Sequence, residues 1–262
     1  MNRISNYAEL QTRIVEWISN YANTNKIKSL VVGISGGIDS SVVSTLCALT
    51  GIKTYVVGMP INQIESQEDL SDTHGEWLCE TFSNVQFIKT DMSAVNDLFL
   101  QTIYKNVGEK FVINKLARAN TRSRIRMVTL YQIAGSVSGI VVGTGNKVED
   151  YGIGFYTKYG DGGIDIAPIA DLYKTEVWEL GRHLGVNQSI IDAQPTDGLW
   201  DDGRTDEDQI GTSYAMLEWV MEQGLTKDPM FLNEEQIQAI KNYKKFNTQN
   251  QHKMNSIPTF KL

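Results

Sequence analysis

Two adjacent glycines followed by an aspartate and two serines form the strongest chemical signal in this sequence. Residues 33–40, with the letters GISGGIDS, follow a short apolar run and precede a segment, 40–49, that is typical of a helix. Glycines let the backbone approach a ligand closely, and the free N–H groups at a helix start favour phosphate. Asp39 would repel a phosphate unless a divalent cation bridged the two, so we interpret Asp39 as a magnesium ligand.

The alternative for this segment is an ordinary strand-to-helix turn with a Ser/Asp cap. The apolar, β-branched run at residues 30–32 is typical of a buried parallel strand, and a strand before the glycines with a helix after them favours a phosphate site. The segment is not the G-x-x-x-x-G-K-[ST] loop, because no lysine follows the glycines.

Three arginines lie in the predicted helix 120–136. We expect Arg122 and Arg126 to form a solvated basic face. Arg124 differs, because apolar residues follow it at helical spacing, namely Met127, Val128 and Tyr131. A buried or half-buried arginine normally has a partner, so Arg124 is expected to meet either an internal carboxylate or a ligand.

Polar residues also follow the predicted strand 139–143. Thr144 and Glu149 emerge where a parallel sheet presents its ligand, and Glu149 could hold a metal ion or cap a helix. Lys158, the turn at residues 160–163 and Asp165 could shape a loop around a ligand or form a plain surface turn.

A lysine opposes the helix dipole at the start of the predicted helix 173–184. A nearby anion would remove this conflict, which makes Lys174 a candidate phosphate contact; the alternative is a side chain that extends into water. His252 and Lys253, near the end of the chain, are tail residues if no ligand engages them.

Composition indicates a soluble cytoplasmic protein. The chain has 262 residues, 41% of them hydrophobic, and a net charge of −7, which argues against a nucleic-acid binder. Cys47 and Cys79 are the only cysteines, so neither a disulfide framework nor a zinc site is expected. Residues 1–11 lack the apolar core of a signal peptide, and no apolar run is long enough to cross a membrane.

Strands that alternate with helices predict an α/β fold with a parallel sheet. The predicted strands are residues 30–32, 54–59, 85–88 and 139–143, and the predicted helices are 4–21, 40–49, 67–82, 91–104, 120–136, 173–184, 207–221 and 233–246. Residues 195–208 are acidic and are expected to be mobile, and no linker divides the chain, so residues 1–262 are expected to form one domain.

Several of these segments resemble known families. Residues 35–40, SGGIDS, are similar to the pyrophosphate loop of the N-type ATP pyrophosphatases, which split ATP between its α and β phosphates. Most of the chain resembles the NAD synthetase family, on residues 33–40, 120–127, 142–149, 154–163, 195–196 and 205–207. The letters FYTKYGDGG, residues 155–163, are the most family-specific of these. The resemblance implies a Rossmann-like sheet of the adenine nucleotide alpha hydrolase type, with helices on both faces.

The resemblance also implies an activity and its residues. The family amidates deamido-NAD (nicotinic acid adenine dinucleotide) to NAD with ATP and ammonia, through an acyl-adenylate, and releases AMP and pyrophosphate. The implied ATP-binding residues are Gly33, Ile34, Ser35, Gly36, Gly37, Ile38, Asp39, Ser40, Thr144, Lys174 and Thr196. Asp39 and Glu149 would bind Mg²⁺, and Asp39 and Lys174 would take part in catalysis. The implied contacts to deamido-NAD are Arg124, Lys158, Asp165, His252 and Lys253.

Family members are homodimers with the dinucleotide site at the subunit interface, and neither nucleic acid nor a membrane is an expected partner. In this chain Ile14 and Trp17 are expected to supply apolar surface for such an interface. Three departures from the family pattern are visible: Ile38 replaces a common Gln, residues 145–148 differ from another common form of that segment, and the spacing from Glu149 to Lys158 is one residue longer.

Two other functions fit part of the sequence. A pyrophosphatase that makes a tRNA thionucleoside would share the loop but would commonly need a reactive cysteine pair, and Cys47 and Cys79 both lie among apolar helix positions. A non-catalytic nucleotide-binding regulator would need the loop but not the segment from Lys158 to Asp165.

Overall fold

A parallel sheet forms the centre of the molecule. The computed structural model describes residues 3–62, 65–196 and 205–261, and within them four strands pair in the order β3-β2-β1-β4. The strands are β1 Ser29–Ile34, β2 Lys53–Gly58, β3 Val85–Lys89 and β4 Gly139–Val141. All three pairings are parallel, so the carboxyl ends of the strands share one edge. The predicted α/β fold is confirmed.

Most of the helices lie where the sequence predicted them. Their bounds are α1 Tyr7–Thr24, α2 Ile38–Leu49, α3 Glu65–Thr81, α4 Ser93–Asn106, α5 Lys115–Ser136, α6 Lys174–Leu184, α7 Gln188–Asp192, α8 Asp206–Ile210, α9 Tyr214–Glu222 and α10 Glu234–Met254. A π-helix, Lys147–Ile153, follows β4, and short 3-10 helices span Glu109–Phe111, Gly224–Thr226 and Pro229–Phe231. None of the helices in the described residues has the length and apolar character needed to cross a membrane.

Helices cover both faces of the sheet because side chains alternate along β1. Leu30 and Val32 pack into a core with α1, α2 and α6. Val31, between them, packs on the opposite face of the sheet in a core that includes Ala134 of α5. Every one of these side chains is almost fully buried, which explains why β1 reads as a continuous apolar run rather than an alternating one.

A second core lies beyond β4 and joins the end of the chain to the π-helix. Residues of α8, α9 and α10 pack here against Val148, Ile153 and Tyr173. The single helix predicted over 207–221 is two helices: Gly211, with φ of 77°, ends α8, and the Ser213 side chain caps α9. Because α10 continues to Met254, His252 and Lys253 lie in the last turn of a helix and not in a tail.

Candidate active site

The glycine loop wraps around the start of α2. Gly36 has φ of 82°, which a glycine adopts without strain, and β1 ends two residues before it. The hydroxyl of Ser40 accepts the Ser35 N–H at 3.2 Å and donates to the Gly37 carbonyl at 3.0 Å. Ser41 donates to the same carbonyl at 3.0 Å. These bonds fix the conformation of the turn at the helix start. The first N–H groups of a helix have no partner within the helix, so they can bind an anion.

Three charged side chains meet beside this loop. The Lys174 Nζ lies 2.5 Å from Oδ2 of Asp39 and 2.9 Å from Oε1 of Glu149. The lysine side chain is only 3% exposed, and the two carboxylates are 17% and 16% exposed. Each residue comes from a different helix start: α2, the π-helix and α6. The alternative, in which the Lys174 side chain extends into water, is therefore wrong, and the opposition of this lysine to the helix dipole is offset by two carboxylates.

Asn146 joins these groups and caps the π-helix. Its Nδ2 donates to Asp39 Oδ1 at 3.0 Å, while its Oδ1 accepts the N–H groups of Val148 and Glu149 at 3.0 and 3.1 Å. Glu149 is thus not the cap that its spacing suggested, because Asn146 fills that role. An asparagine just before a helix start is itself a capping signal and could have been found in the sequence.

Tyr214 of α9 also contacts this cluster. Its hydroxyl donates to Glu149 Oε1 at 2.6 Å and lies 3.3 Å from Asp206 Oδ2, and its ring centroid is 4.9 Å from the Lys174 Nζ. In the sequence Tyr214 is one apolar position of a helix, and no local pattern marks it as a site residue. Thr144, at the same edge of the sheet, is half-buried.

Burial and pairing shift the pKa values of these groups in opposite directions. Burial lowers the pKa of Lys174, but the nearby Asp39 and Glu149 outweigh it and raise this pKa above its ordinary value. Burial likewise raises the pKa of Glu149, but Lys174 and the Tyr214 hydroxyl hold it below its usual range. For Asp39, burial dominates and raises the pKa against the pull of Lys174. The lysine therefore stays a cation at neutral pH.

The donor set fits a magnesium ion that is shared with a phosphate. Asp39 and Glu149 both contact one ammonium nitrogen, so their oxygens converge within reach of one cation. In the part of the chain that the structure describes, no group of three or more His, Cys, Asp or Glu residues could hold a metal. Mg²⁺ commonly binds one or two carboxylates together with substrate phosphates and water, and that is what these two residues offer.

Four of the predicted substrate contacts meet at the end of α10. Arg124 donates from Nε and Nη2 to the Lys158 carbonyl, both at 3.2 Å. The Lys158 Nζ donates to the His252 carbonyl at 2.6 Å, and the Lys253 Nζ to the carbonyls of Gly154 and Tyr156 at 2.8 and 2.6 Å. Burial lowers the pKa of Lys253. These residues are brought together, whereas Asp165 lies beside β4.

Asp165 and the turn before it are tied to the sheet and to α5. The Asp165 carboxylate accepts the Val141 N–H at 2.8 Å and the Tyr131 hydroxyl at 3.1 Å. Asp161 accepts the Ser123 hydroxyl at 2.6 Å and the Thr157 N–H at 3.0 Å. A side chain at Gly160 would collide with Ser123. The segment is therefore a shaped turn and not a plain surface turn.

The expected arrangement of the three arginines is wrong. Arg124 is exposed, whereas Arg122 is 8% exposed and Arg126 donates from Nε to the Met59 carbonyl at 3.0 Å. Burial, with the neighbouring Arg122, lowers the pKa of Arg126 to about 10. Residues four apart share a helix face and residues two apart do not, so burial of Arg122 and Arg126 puts Arg124 on the outside.

Thr196 lies at the edge of a part of the chain that is outside the described residues. Residues 197–204, which hold most of the acidic segment expected to be mobile, are among those outside. The ends that flank them are joined, because the Asp206 N–H donates to the Pro195 carbonyl at 2.9 Å. Thr205 then caps α8 through its side chain.

The fold and the site together define a class. The parallel sheet, the helices on both of its faces and the SGGIDS loop at the carboxyl end of β1 define an α/β protein of the nucleotide-binding type. The family model described as NAD synthase matches residues 10–260. The chain belongs to the NAD synthase family, whose members are ligases that form a C–N bond.

Known relatives and solved structures agree with this membership. An NH(3)-dependent NAD(+) synthetase of Methanosarcina acetivorans is 38% identical over 219 residues, which are 82% of this chain and 81% of that protein. The structure of NMN synthetase from Francisella tularensis matches with a TM-score of 0.86 and 28% identity, over 99% of this chain and 100% of that one. An NH3-dependent NAD synthetase from Campylobacter jejuni, 24% identical, shares the fold with a TM-score of 0.74 over 98% and 100% of the two chains.

Proposed function

We propose that this chain amidates deamido-NAD to NAD with ATP and ammonia and releases AMP and pyrophosphate. The observation that carries the proposal is the buried Lys174, bonded to Asp39 and Glu149 beside the glycine loop. The names and identity of the relatives support ammonia as the nitrogen donor.

The chemistry requires activation because a carboxylate oxygen is a poor leaving group. The nicotinate carboxylate attacks the α-phosphorus of ATP, which gives an acyl-adenylate and pyrophosphate; ammonia then attacks the acyl carbon and AMP leaves. The loop N–H groups and Lys174 would hold the departing pyrophosphate and neutralise its charge. Asp39 and Glu149 would hold Mg²⁺, which supplies further charge neutralisation when bound. No covalent nucleophile of the protein is needed.

The binding roles follow the two halves of the site. We assign ATP to residues 33–40 with Thr144, Lys174 and Thr196, and deamido-NAD to Arg124, Lys158, Asp165, His252 and Lys253. The cations of the second group bond backbone carbonyls, which leaves their charge available to the phosphates of a dinucleotide. We further propose that residues 1–262 act as one domain and that the protein works in the cytoplasm.

The nitrogen source can be tested directly. We expect purified protein to form NAD from deamido-NAD, ATP and ammonium salt, and to be essentially inactive when ammonia-free glutamine replaces the salt. A glutaminase would need a cysteine nucleophile, yet Cys47 is buried in the core with its pKa raised by burial, and Cys79 bonds the backbone of β3. Efficient glutamine-dependent synthesis that is blocked by thiol alkylation would refute this part.

A second candidate substrate is the mononucleotide, nicotinic acid mononucleotide. The observation that favours it is the match to the Francisella NMN synthetase, whose TM-score of 0.86 exceeds the 0.74 of the Campylobacter NAD synthetase. Both substrates carry the same nicotinate carboxylate, so the activating half of the site would serve either. The ratio of kcat/KM for the two substrates under one set of conditions decides: a ratio above ten in favour of the mononucleotide would replace deamido-NAD as the substrate.

We also propose a homodimer. Large apolar side chains are exposed along α4, the 3-10 helix after it and α5, namely Leu98, Phe99, Tyr104, Phe111, Ile113 and Leu116. A group of exposed large apolar side chains is typical of a protein interface. Ile14, expected to contribute, is instead 8% exposed in the core, while Trp17 is 46% exposed. Light scattering should give a dimer, and Ile113→Asp should weaken it; a fully active monomer would refute both the dimer and a shared site.

A further inference from the structure

The residue after Lys174 is held from a different helix. The backbone N–H of Thr175 donates to Oε1 of Glu218 at 2.9 Å, and its hydroxyl donates to Oε2 at 2.7 Å. Glu218 lies on α9 and is 1% exposed. The first N–H groups of a helix have no partner within it, so a carboxylate that accepts one of them fixes the helix start. Each oxygen of Glu218 thus accepts a hydrogen bond from the same residue of α6.

Arg3 supplies the counter-charge for this buried carboxylate. Its Nη1 donates to Glu218 Oε2 at 2.9 Å and to the Thr175 hydroxyl at 3.3 Å. The guanidinium carbon also lies 4.6 Å from the centroid of the Tyr173 ring. Arg3 and Glu218 therefore hold the residues on either side of Lys174.

The same helix also holds the end of the lysine side chain. Tyr214 and Glu218 are four residues apart on α9, so they share one face of it. The Tyr214 ring lies 4.9 Å from the Lys174 Nζ, while Glu218 holds the backbone next to the lysine. Residues of α9 thus hold Lys174 at both ends, because Tyr214 contacts its Nζ and Glu218 bonds the backbone of the next residue. Glu218 itself does not contact the cluster of Lys174, Asp39 and Glu149.

We propose that Glu218, with Arg3 as its counter-ion, is a positioning residue that fixes the first turn of α6 and so directs Lys174 to the phosphates of ATP. The inference rests on the amidation proposed above for the role of Lys174. Loss of the Glu218 contacts would let the first turn of α6 move, and the lysine would then spend less time at the pyrophosphate. The adenylate-forming half of the reaction should suffer, and the attack of ammonia should not.

The experiment compares two acidic residues of α9 that both pair with Arg3. Glu222 lies one turn after Glu218 and reaches Arg3 Nε at 3.0 Å, but within the described residues its carboxylate makes no hydrogen bond to α6. We expect Glu218→Gln to lower kcat/KM for ATP about 10–100-fold with KM for deamido-NAD unchanged, whereas Glu222→Gln should stay within about twofold of the wild type. Equal losses in the two variants would overturn the proposal.

A double-mutant cycle tests whether Glu218 acts through the lysine. In a Lys174→Met background, Glu218→Gln should reduce the rate of ATP–pyrophosphate exchange by less than about twofold further. Full multiplication of the two losses would show independent action and overturn the proposal. If Glu218→Gln unfolds, Thr175→Val replaces it, since that change keeps the shape and charge and removes one of the two bonds; a wild-type affinity for ATP in Thr175→Val would then count against the proposal.

The affinity for Mg·ATP, measured by calorimetry without any acceptor, separates this proposal from the proposed amidation. A weaker affinity in Glu218→Gln and a normal one in Glu222→Gln support the role of Glu218 even if the wild type amidates neither nucleotide. Unchanged affinity and unchanged exchange in Glu218→Gln would refute that role even if amidation is demonstrated.

Discussion

The two halves of the site are built in different ways. On the nucleotide side, Lys174 bonds two carboxylates and is 3% exposed. On the acceptor side, the cations of Arg124, Lys158 and Lys253 bond backbone carbonyls at the distances given above. A carboxylate cancels the charge of a cation, whereas a carbonyl accepts its hydrogen bond and leaves the charge in place.

This difference indicates how each half meets its ligand. The nucleotide side is preorganised by side chains that already fix each other, so a single change there should disturb several groups at once. On the acceptor side each cation is held by main-chain oxygens, so a change there should weaken one ligand contact and little else. The predictions that follow test this contrast, beginning with the largest expected effect.

The first prediction is that Asp39→Asn lowers kcat by about 10²–10³-fold while the fold stays intact. The substitution preserves size but removes a counter-charge of Lys174 and a proposed magnesium ligand. Steady-state rates and thermal unfolding measure both parts. Glu179→Gln, which breaks a surface pair with Arg182 on α6, is the control. Near-normal turnover at ordinary magnesium concentrations would show that Asp39 is not a magnesium ligand.

The second prediction concerns the acceptor side. Arg124→Met should raise KM for the acceptor nucleotide about 10–100-fold, as expected for one lost charged hydrogen bond to a ligand, and leave KM for ATP unchanged. The matched control is Arg13→Met, on the exposed face of α1. An equal rise in the KM values for ATP and for the acceptor nucleotide would contradict the proposed difference between the two halves of the site.

Third, Tyr214→Phe should reduce kcat about tenfold, because Glu149 and Asp206 both lose the tyrosine hydroxyl while the ring over Lys174 remains. Tyr243→Phe, in the same apolar core but without a contact to Lys174, is the control and should retain the wild-type rate. If the two phenylalanine variants behave alike, hydrogen bonds to Glu149 do not preorganise the nucleotide side.

The smallest effect at neutral pH, an effect on stability, is expected from His74. Its Nε2 lies 2.9 Å from the Ser44 hydroxyl of α2, and the residue is 1% exposed. Burial lowers the pKa of His74 to about 4 from 6.5. Above pH 6.5 the imidazole is neutral in both states. As the pH falls toward 4 only the unfolded chain takes up the proton, so the free energy of unfolding should drop by up to about 3 kcal/mol.

Denaturant unfolding at pH 7, 6 and 5 checks this pH dependence. The slope of stability against pH should be shallower in His74→Phe than in the wild type, and it should be unchanged in His183→Gln, where the replaced histidine is exposed. Identical slopes in all three proteins would mean that His74 titrates normally in the folded state.

The sequence predicts the parts of this molecule that depend on local pattern. The β-branched run before the glycines, the glycines themselves and Asp39 all lie within a dozen residues, and the structure has β1, the loop and α2 where they were expected. The resemblance to the NAD synthetase family, made on short segments, is confirmed by the match over residues 10–260. The roles of the individual site residues stay predictions.

The remaining features depend on which surfaces meet, and local pattern does not encode that. Arg122 and Arg124 are the same residue type two positions apart, and only the packing of α5 decides which is buried. Tyr214 and Glu218 reach α6 from about forty residues further along the chain, because α9 packs against it. The break between those helices rests on one left-handed glycine, Gly211, inside an otherwise helical pattern.

The π-helix Lys147–Ile153 would accommodate the longer spacing from Glu149 to Lys158 that the family resemblance implies. One residue added to an α-helix would rotate everything after it by about 100° and carry the turn at 160–163 away from α5. A wider turn over Lys147–Ile153 would take up such an addition within itself, so that Glu149 contacts Lys174 while Asp161 contacts Ser123. We therefore expect this helix to tolerate a change of one residue in length without a change of register in the segments on either side.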